Sequence, residues 1–290
     1  MRTDNLFDKS CVQISHKAAF SLIELLVVLS IVSLLMGILM PSLSRARQQV
    51  RSVVCRSNIR QLYLANEGYA SENDGFYVRA AFDIWGSTGF GLGGGRHRWH
   101  GVREASGIHP DPEKNTFVPL KGPLRAYLAD GKVKQCPQIV RFVKDGNKNA
   151  FEAGCGGYGY NSVGVGSRNY QYGFCDEAMR SSMRTTEIRQ PSEKVMFTDT
   201  GFVQGDKSKY IIEYSFCEPP HFVFFNGIKI IEVGRPVPSI HFRHLGKANV
   251  IWCDGHVSSE PFAFSKLEQE VLEQFKIGWF GPKDNKLFRP

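Results

Sequence analysis

The hydrophobic pattern is strongly uneven along the chain. Residues 1–17 are polar and carry Arg2, Lys9 and Lys17, after which AAFSLIELLVVLSIVSLLMGILMP fills positions 18–41. From Phe20 to Met40, 21 residues hold a single charge, Glu24. At 1.5 Å per residue the run is roughly 31 Å long, the thickness of a bilayer core, and it predicts a membrane span. A secretory signal peptide is the competing reading, but its apolar region is shorter, about 7–15 residues, and ends in a small-x-small site. Here Ser42-Leu43-Ser44-Arg45 follows instead. A carboxylate inside a span costs on the order of 2.5–3.5 kcal/mol. Glu24 therefore reaches the interface or has a partner in the membrane, such as a free amino terminus created by a cut just before Phe20.

Beyond Pro41 the sequence lacks Pro and Gly until Gly68 and is rich in helix formers, which predicts one helix from about residue 20 to about residue 70. Asn73-Asp74-Gly75 reads as a turn and Phe76-Tyr77-Val78 as a short strand. Residues 86–115 read as loop, with a short helix around Leu124–Leu128 before Cys136-Pro137 and a Gly- and Tyr-rich stretch over 154–173 that reads as loop with little strand. Strands are expected at Val195–Asp199, Tyr210–Phe216, Phe222–Phe225 and Lys229–Val233. Ala248–Cys253 and His256–Ser259 should pair across a two-residue type I′ turn at Asp254-Gly255, with Cys253 facing His256. No internal repeat or low-complexity tract interrupts the chain.

Composition changes this picture little. The 290 residues are 42% hydrophobic and 22% charged, ordinary globular usage that excludes disorder, collagen and a multi-span membrane protein. The net charge of +8 is a mild pointer to acidic partners: nucleic acid, anionic polysaccharide or lipid head groups.

The junction Lys17-Ala18-Ala19 followed by FSLIELLVVLSIV resembles the processing site of type IV prepilins and type II secretion pseudopilins. Those families carry a short basic leader, a small residue that is usually Gly, a cut before Phe, and Glu as the fifth mature residue. Counted from Phe20, Glu24 is fifth and Pro41 twenty-second, while Ala19 stands where Gly is usual. The resemblance continues through RSNIRQLYLANEGYASENDGFY (56–77), LRAYL before Cys136-Pro137, GYGYN (157–161) and IRQPSEKVMFTDT (188–200). It ends in His244, nine residues and Asp254-Gly255, the H-X9-DG signature, and in the tail IGWFGPKDNKLFRP. It implies an α+β, type IV pilin-like fold in which the long N-terminal helix packs on an antiparallel sheet. The implied domains are a cleaved leader (1–19), a transmembrane helix (20–41), its continuation (42–72) and an extracytoplasmic body (73–290) with the hairpin at 244–255. Lys and Arg counts near the span would put the body in the cytoplasm, since Arg45, Arg47, Arg51, Arg56 and Arg60 all follow it. The resemblance puts the leader inside and the body outside, and its motif fixes more positions.

Candidate chemistry is sparse. His244, Asp254 and Gly255 read as a structural hairpin lock, with a metal site of His244, Asp254, His256 and His241 or Asp199 as the alternative. A catalytic His–Asp pair lacks a nucleophile in a suitable setting. Gly89–Gly94 matches G-x-G-x-x-G without the flanking strand and helix that a dinucleotide site needs. Asp145–Asn149 imitates the start of a calcium loop but has Ala150 and Gly156 where Gly and Glu belong. Arg96, His97, Arg98, Trp99 and His100 form a basic, aromatic cluster suited to sugars or bases. Removal of the leader takes Cys11 with it and leaves six cysteines, for which Cys136–Cys155 is the one suggested pair.

The leading functional expectation is a structural subunit: no enzyme and no cofactor, processed at Ala19 and Phe20, and assembled through Glu24. Its expected partners are prepilin peptidase/methyltransferase, other pilin-like subunits and the membrane. Its expected place is the inner membrane, single-pass, with the body in the periplasm or at the surface. The alternatives are a surface-anchored module for acidic polysaccharide or nucleic acid, and an exported metal-dependent hydrolase.

Overall fold

The computed structural model describes residues 21–84, 95–104, 114, 116–139, 152–205, 209–225 and 227–290. The Gly89–Gly94 and Asp145–Asn149 motifs lie outside the described residues, as do Ala19 and Phe20. The chain divides into two compact units, Met1–Ala46 and Arg47–Pro290.

Helix α1 runs Leu22–Glu72 and includes Pro41. Proline has no N–H, so the Gly37 carbonyl loses its helical donor there. In the first unit the side chains from Leu22 to Leu43 are exposed, and α1 is long and apolar enough to cross a membrane. In the second unit α1 turns one face inward: Cys55, Asn58, Ile59, Leu62, Ala65, Asn66 and Ala70 are buried at spacings of three and four.

Strands follow as β1 (His97–Arg98), β2 (Gly101–Val102), β3 (Tyr158–Tyr160), β4 (Val195–Asp199), β5 (Phe202–Gln204) and β6 (Tyr210–Ile212). Then come β7 (Phe222–Phe225), β8 (Ile230–Gly234), β9 (Ile240–His241), β10 (Lys247–Trp252), β11 (Val257–Pro261) and β12 (Ile277–Gly278). Short helices α2 (Asn169–Tyr172), α3 (Asp176–Met179) and α4 (Gln269–Phe275) complete the body. The central sheet is antiparallel in the order β11-β10-β4-β3; the other strands form two-stranded ribbons.

The central sheet is covered on both faces. Ile251 and Cys253 join Tyr158, Tyr160, Met196 and Phe197 in the cluster that receives Cys55, Ile59, Leu62 and Ala65 of α1. Ala248, Val250 and Trp252 face a second cluster built from Val195, Phe242, Trp279, Phe280 and Phe288. This is why β4 reads VMFTD with all five residues buried, and no polar alternation. The layout is α+β, a long N-terminal helix with small antiparallel sheets, as expected.

Several expectations need correction. The loop assigned to 86–115 contains the β1–β2 hairpin, too short to leave a period-two signal. Phe76 makes one isolated bridge to Arg184 instead of starting a strand, and the helix at 124–128 is a 3-10 turn over Arg125–Tyr127. The strand at 210–216 ends at Ile212. Cys136 and Cys155 are free thiols: Cys136 turns to His244 and Cys155 to Glu213.

Candidate functional site

At the start of α1, Ser21 N donates to Glu24 Oε2 at 2.9 Å while Glu24 N donates to Ser21 Oγ at 3.3 Å. This reciprocal capping box satisfies N–H groups that the first helical turn leaves without partners. Within a single chain, then, the one acidic residue of the span caps its own helix.

The H-X9-DG hairpin differs from expectation. The turn has three residues, Cys253, Asp254 and Gly255, between Trp252 and His256, because Trp252 N donates to His256 O and Gly255 N to Trp252 O. Only Gly255 takes positive φ, at 86°, and Asp254 does not. Trp252 therefore faces His256, their rings stacked at 5.5 Å, and Cys253 does not. Asp254 Oδ1 accepts from His256 N at 3.1 Å and lies 2.6 Å from His256 Nδ1. A Cβ built on Gly255 would sit 2.6 Å from Tyr63 Cε1 of α1, so this glycine also lets the hairpin press against the helix.

His244 and Asp254 do not meet. They flank opposite ends of β10, so the metal site of His244, Asp254 and His256 is not formed. His244 is instead buried against Asp199, with Nε2 3.4 Å from Asp199 Oδ2 and 3.5 Å from Cys136 Sγ. His241, the other suggested ligand, turns Nδ1 to Arg243 Nη1 at 3.3 Å.

The group that does assemble is Cys55, Cys136, Asp199 and His244. Their ligand atoms all lie within 4.8 Å of one another and every member is buried. Cys55 comes from the inward face of α1, Cys136 from the segment before β3, Asp199 from the end of β4 and His244 from the turn entering β10. Cys55 Sγ donates to Asp199 Oδ1 at 3.1 Å. Arg243 braces the group: Nη2 donates to Asp199 Oδ1 at 2.6 Å, Nε to Cys136 Sγ at 3.3 Å, Nη1 to Thr200 O and Nη2 to Gly157 O. Asn249 N donates to Asp199 Oδ2 at 2.7 Å.

Burial would push the Asp199 carboxyl up, but Arg243, His244 and the Asn249 N–H hold it well below the usual carboxylate range. Burial likewise opposes ionisation of Cys136, yet Cys55, Arg243 and His244 bring it down to about 4. Burial lowers and Asp199 raises His244, and the carboxylate prevails, leaving it at about 9. Cys55 goes the other way, pushed up by burial and by the neighbouring Cys136 and Asp199. The cluster is thus a compact set of alternating charges.

Sequence reasoning named His244 and Asp199 but missed Cys55 and Cys136. The available signal was the inward helical spacing of Cys55 with Ile59 and Leu62.

The basic, aromatic cluster is also corrected. Arg98, Trp99 and His100 are buried. Arg98 pairs with Glu152 at 2.7 Å, Trp99 Nε1 donates to Ser215 O, and burial with Arg98 nearby holds the His100 imidazole neutral. These side chains support a loop and offer no stacking surface.

Residues 14–40 match the family model described as the prokaryotic N-terminal methylation motif. The chain therefore carries a prepilin-type cleavage and methylation segment, containing Ala19, Phe20 and Glu24, at the head of an apolar helix. Neither the curated proteins nor the solved structures contain a match to the chain.

Proposed function

We propose that the chain is a membrane-anchored, prepilin-like structural subunit. It is cut between Ala19 and Phe20 by a prepilin peptidase, methylated on the new Phe20 amine and packed through α1 into a pilus or a type II secretion pseudopilus. It sits in the inner membrane with the body extracytoplasmic, and it is the substrate of an enzyme without catalysis of its own. The observation that carries this reading is the methylation motif at residues 14–40. The exposed apolar surface of the first unit supports it, since such a surface is stable only in lipid or against other helices.

The test is the mass and N-terminal residue of the protein purified from its native membranes. The expected product lacks the 19-residue leader and begins with methylated Phe20; a mature form beginning at Met1 overturns the proposal. Glu24 supplies a second arm. Glu24→Gln keeps an oxygen for the Ser21 N–H but loses the charge, so it should insert normally yet assemble poorly if the carboxylate attracts the Phe20 amine of a neighbour. Normal assembly of Glu24→Gln would reduce Glu24 to a helix cap.

A further inference from the structure

Four side chains from distant points of the chain, Cys55, Cys136, Asp199 and His244, bring two sulfurs, one carboxylate oxygen and one imidazole nitrogen to one buried spot. We infer that this spot is a structural zinc site that staples α1 to the body.

The donor set suits the ion. Zn2+ is a borderline-soft dication that takes four ligands from Cys, His and carboxylate in a tetrahedron. With bonds of about 2.0–2.3 Å, the edges of that tetrahedron are roughly 3.3–3.8 Å. The spacings already present are 3.1 Å for Cys55 Sγ to Asp199 Oδ1, 3.4 Å for His244 Nε2 to Asp199 Oδ2 and 3.5 Å for His244 Nε2 to Cys136 Sγ. The first two distances go to different oxygens of Asp199; with one oxygen as ligand all four donors lie within 4.8 Å of one another, so closing the tetrahedron takes shifts of about 1 Å.

Charge and support agree. Two thiolates and one carboxylate carry three formal negative charges, Arg243 carries one positive charge, and a dication makes the buried site neutral. As Zn2+ enters, the protons held by Cys55 Sγ and by His244 Nε2 leave to solvent. Arg243 and the Asn249 N–H hold the Asp199 carboxylate, and Arg243 also holds Cys136, the outer contacts that orient metal ligands. An arginine pair alone would explain Asp199; it does not require two cysteines and a histidine on the same spot. Because one ligand lies on α1, one before β3, one on β4 and one before β10, the ion would tie the helix to the central sheet.

The test uses the full chain purified in detergent without chelator. Elemental analysis should find one zinc per chain. After metal removal, Co2+ titration should give thiolate-to-cobalt charge-transfer bands and tetrahedral d–d bands with one equivalent. Zn2+ should then protect Cys55 and Cys136, but not Cys175, from alkylation read by mass. Asp199→Asn should weaken Co2+ binding by at least about tenfold, while Cys217→Ser should leave it unchanged. Should Asp199→Asn fail to fold, the wild-type stoichiometry and spectrum still decide the matter. A wild-type chain with no zinc and no cobalt spectrum overturns the inference, and so does a Cys55–Cys136 disulfide found by mass. These readouts do not involve leader cleavage or assembly, so they stand apart from the proposed function.

Discussion

Gly255→Ala probes whether the Asp254-Gly255 turn exists to dock the hairpin on α1. The substitution does two things at once. It places a side chain at φ 86°, a left-handed conformation that costs a residue with a Cβ about 1–2 kcal/mol. It also drives the new Cβ to 2.6 Å from Tyr63 Cε1 and 2.8 Å from Tyr63 Cζ. Carbon atoms in good contact stand about 3.5–4.0 Å apart, so the overlap approaches 1 Å and adds overpacking of about 1–3 kcal/mol. Together the two effects predict a loss of about 2–5 kcal/mol, a large part of the usual 5–15 kcal/mol stability of a domain. The two are separable because Tyr63 causes only the second. In a Tyr63→Ala background Gly255→Ala should cost only the backbone strain, giving a coupling of about 1–3 kcal/mol between the sites. Urea denaturation of the four full-length chains in mild detergent, followed by Trp fluorescence, measures the cycle. Additivity within about 0.5 kcal/mol would refute the docking argument.

Three further outcomes are expected. Burial pushes the Glu218 carboxyl up to about 7 against the lowering hydrogen bond from Tyr214, so its contribution to stability is full below the ordinary value of 4.5 and lost as pH rises to about 7. The loss is about 3 kcal/mol; in Glu218→Gln it should vanish, and parallel stability curves for the two proteins from pH 4.5 to 8 would contradict this. Asp254→Asn keeps an acceptor for the His256 N–H and alters only a half-exposed carboxylate–imidazole contact, so it should cost at most about 1 kcal/mol and leave metal binding at the Cys55 cluster unchanged. Glu152→Gln leaves the Arg98 guanidinium buried without its charge partner, and a loss of about 3–5 kcal/mol in the same denaturation assay is expected; a loss under 1 kcal/mol would mean that water reaches the pair.

What was legible in the sequence was local. The span from Phe20 to Met40 announces itself by length and lack of charge, and β4 by the consecutive apolar residues Val195, Met196 and Phe197, which suit a strand covered on both faces. The existence of the β10–β11 hairpin followed from Asp254-Gly255, but its turn length did not. Asp-Gly serves both a two-residue turn with two positive φ values and a longer turn with one, and Tyr63 pressing on Gly255 belongs to another part of the chain. The buried cluster was half legible for the same reason. His244 and Asp199 stand out as polar residues beside apolar strands, whereas nothing near Cys136 says that α1 will bring Cys55 to it.

Long-range polar contacts also explain how α1 finds its place on the sheet. Its inward face is not uniformly apolar: Ser52, Cys55, Asn58 and Asn66 interrupt it. Each interruption has a partner, since Ser52 bonds Asn249, Cys55 bonds Asp199, Asn58 Nδ2 donates to Gln135 O and Asn66 Nδ2 donates to Tyr160 Oη. Asn66 Oδ1 also accepts from Val78 N at 2.9 Å, tying the helix to the strand-like segment that follows its own turn. An apolar face of Ile59, Leu62 and Ala65 would pack nearly as well after sliding one turn, about 5.4 Å. The polar pairs would not, because such a slide leaves every buried donor and acceptor unsatisfied at about 1–3 kcal/mol each. Apolar burial therefore holds residues 52–70 against the sheet, while the hydrogen bonds select the register. Cys55 is where that register matters most, because one turn in either direction removes its sulfur from Asp199 and from the cluster that Cys136 and His244 complete.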